Sequence, residues 1–121
     1  MKRKVLVVED YEDTRLFMKF LIESYGFQVC EAADGLDAIE TLKHHFPDLI
    51  LMDIAMPVMD GLTATRKIRG FKEGADIPII AVTAHGKQLY EKAIEAGCTD
   101  LIEKPVDFES LESVLNQYLE H

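Results

Sequence analysis

Asp53 follows the apolar run Leu49-Ile50-Leu51-Met52, and Glu9 and Asp10 follow Val5-Leu6-Val7-Val8. Each run is too short for a helix and suits a parallel strand buried on both faces. The acids are thereby delivered to the C-terminal edge of a sheet, the edge at which open α/β sheets bind ligands. Thr83 closes a third run, Pro78-Ile79-Ile80-Ala81-Val82, and a fourth, Leu101-Ile102, leads into Lys104-Pro105. Acids, a hydroxyl and an ammonium group can therefore converge on one patch. Carboxylates that meet within a few ångströms repel one another unless a cation or protons neutralise them. An oxygen-only set with room for waters suits Mg2+. A carboxylate can also act as a nucleophile toward phosphorus, with a divalent ion orienting the donor and neutralising charge on the transferring group. In that chemistry Asp53 carries an acyl phosphate, Thr83 donates its hydroxyl to one phosphoryl oxygen and Lys104 offers its ammonium to another. Taken singly the residues have plainer readings. A strand-end Asp is usually a turn residue, Lys104 alone would be solvated, Glu9-Asp10 could begin a helix, and Asp60 before Gly61 reads as a cap rather than a ligand. Their conjunction at successive strand ends is what points to chemistry.

The elements that must position these groups alternate between strand and helix, the signature of a parallel sheet covered on both faces. Strands are expected near 4–8, 28–32, 48–52, 78–82 and 99–102. Leu16, Phe17, Phe20, Leu21 and Ser24 lie at helical spacing after Glu12 and Asp13, and Gly26 ends that helix. Asp34-Gly35 opens a second helix carrying Leu36, Ile39 and Leu42, with Lys43, His44 and His45 in its last turn. Residues 56–61 read as loop, and Leu62, Thr65, Ile68 and Arg69 as a helix ending near Gly70. The stretch from Lys87 to Ala96, closed by Gly97, carries only a thin stripe of Leu89, Ala93 and Ile94, so an exposed and mobile helix is expected. Asp107 or Ser110 caps a fifth, with Leu111, Val114, Leu115 and Tyr118 facing inward. Right-handed crossovers then favour a doubly wound α/β fold, a five-stranded parallel sheet in the flavodoxin-like order 2-1-3-4-5. Its switch point falls between the strands that end in Glu9-Asp10 and Asp53.

A chain of 121 residues, 48% of them apolar and without low-complexity blocks, reads as one domain over 1–121. A net charge of −9 speaks against electrostatic binding of nucleic acid and favours proteins or cations as partners. Neither a signal peptide nor a membrane-length apolar run is visible, so a cytoplasmic location is expected. Cys30 and Cys98 lack metal-ligand spacing and read as buried or half-buried free thiols. Leu119-Glu120-His121 could begin a tag scar and receives no functional weight.

Val-Leu-Val-Val-Glu-Asp at 5–10, Pro-Asp-Leu-Ile-Leu-Met-Asp-Ile-Ala-Met-Pro-Val-Met-Asp-Gly at 47–61, Ile-Pro-Ile-Ile-Ala-Val-Thr-Ala at 77–84 and Glu-Lys-Pro at 103–105 together resemble the receiver domain of two-component response regulators. The resemblance covers essentially the whole chain. It implies that Asp53 is the phosphoacceptor, that Asp10 binds Mg2+ directly with Glu9 helping through water, and that the backbone carbonyl of Ala55 contacts the metal. It also implies phosphoryl contacts from Thr83 and Lys104, a cis bond before Pro105, and a histidine kinase or histidine phosphotransfer protein as donor. No other cofactor is implied, and turnover catalysis is not expected. Two departures stand out. Leu101 occupies the position where many receivers carry a switching aromatic residue, so the switch is expected to rest on Thr83 and the Ala84-His85-Gly86 loop, with His85 near the phosphoryl entrance. The chain also ends after the fifth helix, so output is expected through a downstream protein, onward phosphoryl transfer, or a larger protein of which this is a part. A haloacid-dehalogenase-type phosphatase would need an acid where Ala55 stands, and a flavodoxin a Ser/Thr/Gly-rich loop where Glu9-Asp10-Tyr11-Glu12-Asp13 stands. A phosphorylation-independent adaptor of the same fold is the stronger alternative.

Overall fold

A computed structural model describes residues 2–56 and 58–119. Met1, Pro57, Glu120 and His121 lie outside the described residues, and with them the Pro57 part of the expected loop and most of the suspected tag scar. Five parallel strands, β1 (Lys4–Val8), β2 (Gln28–Ala32), β3 (Leu49–Asp53), β4 (Ile79–Thr83) and β5 (Asp100–Glu103), form one sheet in the order β2-β1-β3-β4-β5. They alternate with α1 (Glu12–Ser24), α2 (Gly35–His45), α3 (Gly61–Arg69), α4 (Gly86–Ala96) and α5 (Phe108–Tyr118). This is the expected fold. A short 3-10 turn at Lys72–Gly74 is an addition.

Alternation along the strands divides the interior into two layers. Val5, Val7, Leu49, Leu51, Ile80 and Val82 face α1 and α5, where Met18, Leu21, Ile22, Leu111 and Leu115 meet them. Leu6, Val8, Ile50, Met52, Ile79 and Ala81 face Ala38, Leu42, Ala64, Ile68 and Ala93 from α2, α3 and α4. Both faces of the central strands are dry, which is why their sequences are apolar throughout rather than alternating. Each large side chain so buried contributes about 1.5–3 kcal/mol. The two thiols behave as expected, Cys98 buried and Cys30 half-buried, both free.

The helix faces differ in part from the sequence reading. Leu16, Phe17 and Phe20 are 46%, 53% and 69% exposed, and α1 instead buries Met18, Leu21 and Ile22. The helix lies over β1 and β2, which buries the expected Leu21 together with Met18 and Ile22 and leaves the rest of the expected stripe outside. Leu36 of α2 and Ile94 of α4 are likewise exposed, while Ala38, Ala93 and Ala96 are buried. Leu119, set aside with the tail in the sequence, is buried in the α1–α5 layer.

Three of the helices start where short acids cap them, whereas α1 and α4 begin at Tyr11 and His85 without a side-chain cap. Asp34, Asp60 and Asp107 accept the amides of Asp37, Thr63 and Ser110 at 2.8, 2.9 and 2.7 Å, closing the N-termini of α2, α3 and α5. Asp60 is therefore the cap its sequence context suggested, and Asp107 rather than Ser110 caps α5. At the opposite end of the sheet, Arg69 donates to the carbonyls of Gly97, Gly74 and Ile77 at 2.8, 2.9 and 2.6 Å and to Thr99 Oγ1 at 3.2 Å. One guanidinium thus joins the ends of α3 and α4 to the approaches of β4 and β5.

Candidate functional site

Strand register brings the chemistry together. Val8 pairs with Met52, Asp53 with Val82 and Thr83 with Glu103, so Glu9, Asp10, Asp53, Thr83 and Lys104 all stand at the C-terminal edge of the sheet. Ligand oxygens of Glu9, Asp10 and Asp53 lie within 4.8 Å of one another. Glu9 and Asp53 are each 2% exposed, whereas Asp10 reaches into solvent.

Asp53 is held from below and from one side. The amide of Gly61 donates to Ile54 O at 2.9 Å and brings the start of α3 directly under the strand end. A Cβ at Gly61 would collide with Asp53 O and sit 2.8 Å from Ile54 Cα, so the position tolerates no side chain. Asp53 Oδ1 accepts from the Ala55 amide at 3.3 Å and pairs with Lys104 Nζ at 3.3 Å. Asp53 Oδ2 is buried without a hydrogen-bond partner. A buried polar atom left alone costs free energy, and such atoms are uncommon in native structures.

Glu9 is bound at every polar group. Its amide donates to Ala32 O at 3.1 Å, its Oε2 accepts from the Tyr11 amide at 3.0 Å, and its Oε1 pairs with Lys104 Nζ at 3.1 Å. Its carbonyl accepts from Arg15 Nη1 at 2.9 Å. Lys104 therefore bridges two acids, on a backbone that continues through the expected cis bond to Pro105. Burial drives Asp53 up to about 7, and the negative charge of Glu9 adds to the rise against the opposing pull of Lys104. Burial also pushes Glu9 upward, but the Tyr11 amide and Lys104 outweigh it and hold the carboxyl below its ordinary value. For Lys104, burial disfavours the charge, yet Glu9 and Asp53 raise its pKa. Of the pair, Asp53, the acid with fewer donors, thus holds its proton more tightly.

Thr83 is buried, and its hydroxyl accepts the His85 amide at 3.1 Å. That bond ties it to the β4–α4 loop rather than to Asp53. Leu101 is half-buried beside Gly86: a Cβ there would come within 3.0 Å of Leu101 Cδ2 and 2.6 Å of Glu103 Oε1. His85 is exposed. Beside the acid cluster runs an open groove of ≈540 Å³ lined by Phe17, Met18, Ala84, Lys104, Pro105 and Val106 among others. Arg15 is the contact that sequence reasoning missed. Its acceptor is a main-chain carbonyl, which leaves no mark in a sequence.

A family model described as the response regulator receiver domain matches residues 5–116. The polar-differentiation response regulator DivK of Brucella ovis is 36% identical over 120 residues, covering 98% of each chain. Among solved structures, the receiver domain of sensor histidine kinase PA1611 from Pseudomonas aeruginosa PAO1 is 34% identical, with a TM-score of 0.92 and complete coverage of both chains. That receiver holds a magnesium ion coordinated in its active site cleft. The chemotaxis protein CheY4 of Vibrio cholerae is 28% identical with a TM-score of 0.93, covering 98% of this chain and all of its own.

Proposed function

Because the chain belongs to the response regulator receiver domain family, whose members are phosphorylation-dependent signalling proteins, we propose that Asp53 is its phosphoacceptor. The observation that carries this is the Asp53 carboxylate itself, buried at a strand end with Oδ1 on Lys104 and Oδ2 without a partner. The ionised carboxylate attacks the phosphorus of a phosphohistidine. A P–O bond forms as the P–N bond breaks, and the electron pair of that bond returns to the imidazole nitrogen. Thr83 and Lys104 then bind the new phosphoryl oxygens, Thr83 by donating its hydroxyl hydrogen while it still accepts the His85 amide and Lys104 by exchanging acid partners.

The donor set fits a hard divalent cation: oxygens only, mutually close, one of them orphaned and buried. Asp10, Asp53 and the carbonyl of Ala55 would hold Mg2+, with Glu9, already engaged by Lys104 and Tyr11, acting at one remove. The ion supplies charge neutralisation for a phosphoryl group entering an acidic site. The donor is a histidine kinase or histidine phosphotransfer protein, and the groove running from Phe17 to Lys104 gives it an apolar seat beside the cleft. Phosphorylation is a single event that alters binding to a downstream protein, not a turnover reaction. Residues 1–121 act as one receiver unit, and family membership supports a cytoplasmic setting. Among the described residues no helix is long and apolar enough to cross a membrane.

Intact mass after incubation with Mg2+ and a small-molecule phosphodonor tests the assignment. One added phosphoryl group is expected, lost in Asp53→Asn and in chelator. Undiminished labelling of the variant would sink it.

A further inference from the structure

The parallel ladder between β1 and β2 stops at Val8 and Ala32. Glu9 still donates its amide to Ala32 O, and its carbonyl, which points to the same side of the strand, would next accept the amide of Asp34. That partner is lost, because Asp34 caps α2 and the chain has already turned away. Arg15 takes its place. Nη1 reaches Glu9 O at 2.9 Å while Nε is held by Glu31 Oε1 at 3.2 Å, and Glu31 also accepts Lys19 Nζ at 3.4 Å. The Arg15 side chain is only 17% exposed.

A solvent-edge ion pair of this kind contributes little stability on its own, but the Arg15 contact orients a peptide. The peptide joining Glu9 to Asp10 is planar, so a carbonyl aimed at Arg15 on the β2 side aims the Asp10 amide to the opposite side. In this strand order the opposite side is that of β3, where Asp53 stands. Asp10 is the exposed member of the acid cluster and lies one residue beyond the last ladder bond. The direction in which its side chain leaves the backbone is set by this peptide.

We propose that Arg15 is a positioning residue for magnesium: anchored by Glu31, it fixes the Glu9–Asp10 peptide and so presents the Asp10 carboxylate to the metal. The inference rests on the magnesium reading of the acid cluster. Groups that orient metal ligands typically change affinity by about 10–100-fold when altered, and the lower end suits a contact made through the backbone. Lysine keeps the charge but has no planar fork to serve Glu31 and Glu9 O together, so Arg15→Lys should bind Mg2+ about tenfold more weakly. Arg15→Gln should weaken it too, although removing a positive charge beside an acid cluster would by electrostatics alone tighten binding.

The test is calorimetric titration of the full chain with MgCl2, together with melting in chelator to show that each variant is folded and amide hydrogen exchange at Asp10. Weaker affinity in both variants, with faster exchange at Asp10, is the expected result. Unchanged affinity in Arg15→Lys, or tighter affinity in Arg15→Gln, overturns the inference while leaving the magnesium reading intact. Wild-type protein that fails to bind Mg2+ overturns both. Should the arginine variants unfold, Glu31→Asp shortens the anchor without altering charge, and an unchanged affinity there overturns the proposal.

Discussion

Asp53→Asn should make the metal-free protein more stable, and by an amount that depends on pH. Burial and the nearby Glu9 charge lift Asp53 from 3.8 to about 7. At about 1.36 kcal/mol per unit this corresponds to roughly 4 kcal/mol. The acid holds its proton more tightly in the folded state, so between pH 3.8 and about 7 the folded protein keeps a proton that the unfolded chain has released. Stability from this group is therefore present at low pH, falls as pH rises through that window, and is level above it. Asparagine has nearly the same shape and no charge to desolvate, and the pull of Lys104 is already contained in the net rise. The variant should thus gain up to about 4 kcal/mol at pH 8, or about 15 °C in melting temperature for a domain of this size, and more than half of the gain should be lost by about pH 5. Thermal melts followed by circular dichroism in chelator from pH 5 to 8.5 measure it. A variant no more stable than wild type at pH 8, or a difference that does not change with pH, would refute the electrostatic account of the cluster.

Thr83→Ala removes the hydroxyl that now accepts the His85 amide. Beryllofluoride, a phosphoryl analogue, should perturb backbone resonances from Thr83 through Ala96 in wild type and in Leu101→Ala but not in Thr83→Ala; a response erased by Leu101→Ala would contradict a switch resting on Thr83. Gly61→Ala forces a methyl group into the Asp53 main chain, so denaturant unfolding should show a loss of at least about 2 kcal/mol, accompanied by weaker phosphorylation of the folded fraction. Normal stability in that variant would mean α3 can withdraw from the strand end without cost.

The strands were legible because a segment buried on both faces must be apolar along its length, and Leu49 to Met52 or Ile79 to Val82 admits little else. The acid cluster was legible for a related reason, since Asp53 and Glu9 interrupt those runs at equivalent heights. Helix faces were less so. In α1 the stripe of Leu16, Phe17 and Phe20 is as apolar as that of Met18, Leu21 and Ile22, and only docking on the sheet distinguishes them. In α4 the alanines Ala93 and Ala96 are buried while Leu89 is only half-buried and Ile94 exposed, and in α2 Leu42 and Ala38 are buried while Leu36 is not. The contacts of Arg15 with Glu9 O and of Arg69 with its carbonyls were not legible at all, since main-chain acceptors leave no mark in a sequence. Leu119 shows the reverse error: an unremarkable terminal residue turned out to close the α1–α5 layer.

The Arg69 clamp bears on how this end of the molecule can vary. Four of its acceptors are backbone carbonyls, from Gly74, Ala75, Ile77 and Gly97, and a carbonyl is supplied by any amino acid. Ile77 can therefore be exchanged without touching the hydrogen bond it provides. The glycines are constrained for other reasons: a Cβ on Gly74 would strike Ile68, and Gly97 holds a positive φ of +112° with Arg69 Cγ 2.8 Å from where its Cβ would be. Mutational tolerance at the base of the sheet is thus concentrated unevenly. A saturation library over 72–76 would retain Gly74 while drifting at the exposed positions around it, so that one side chain lets its surroundings diverge.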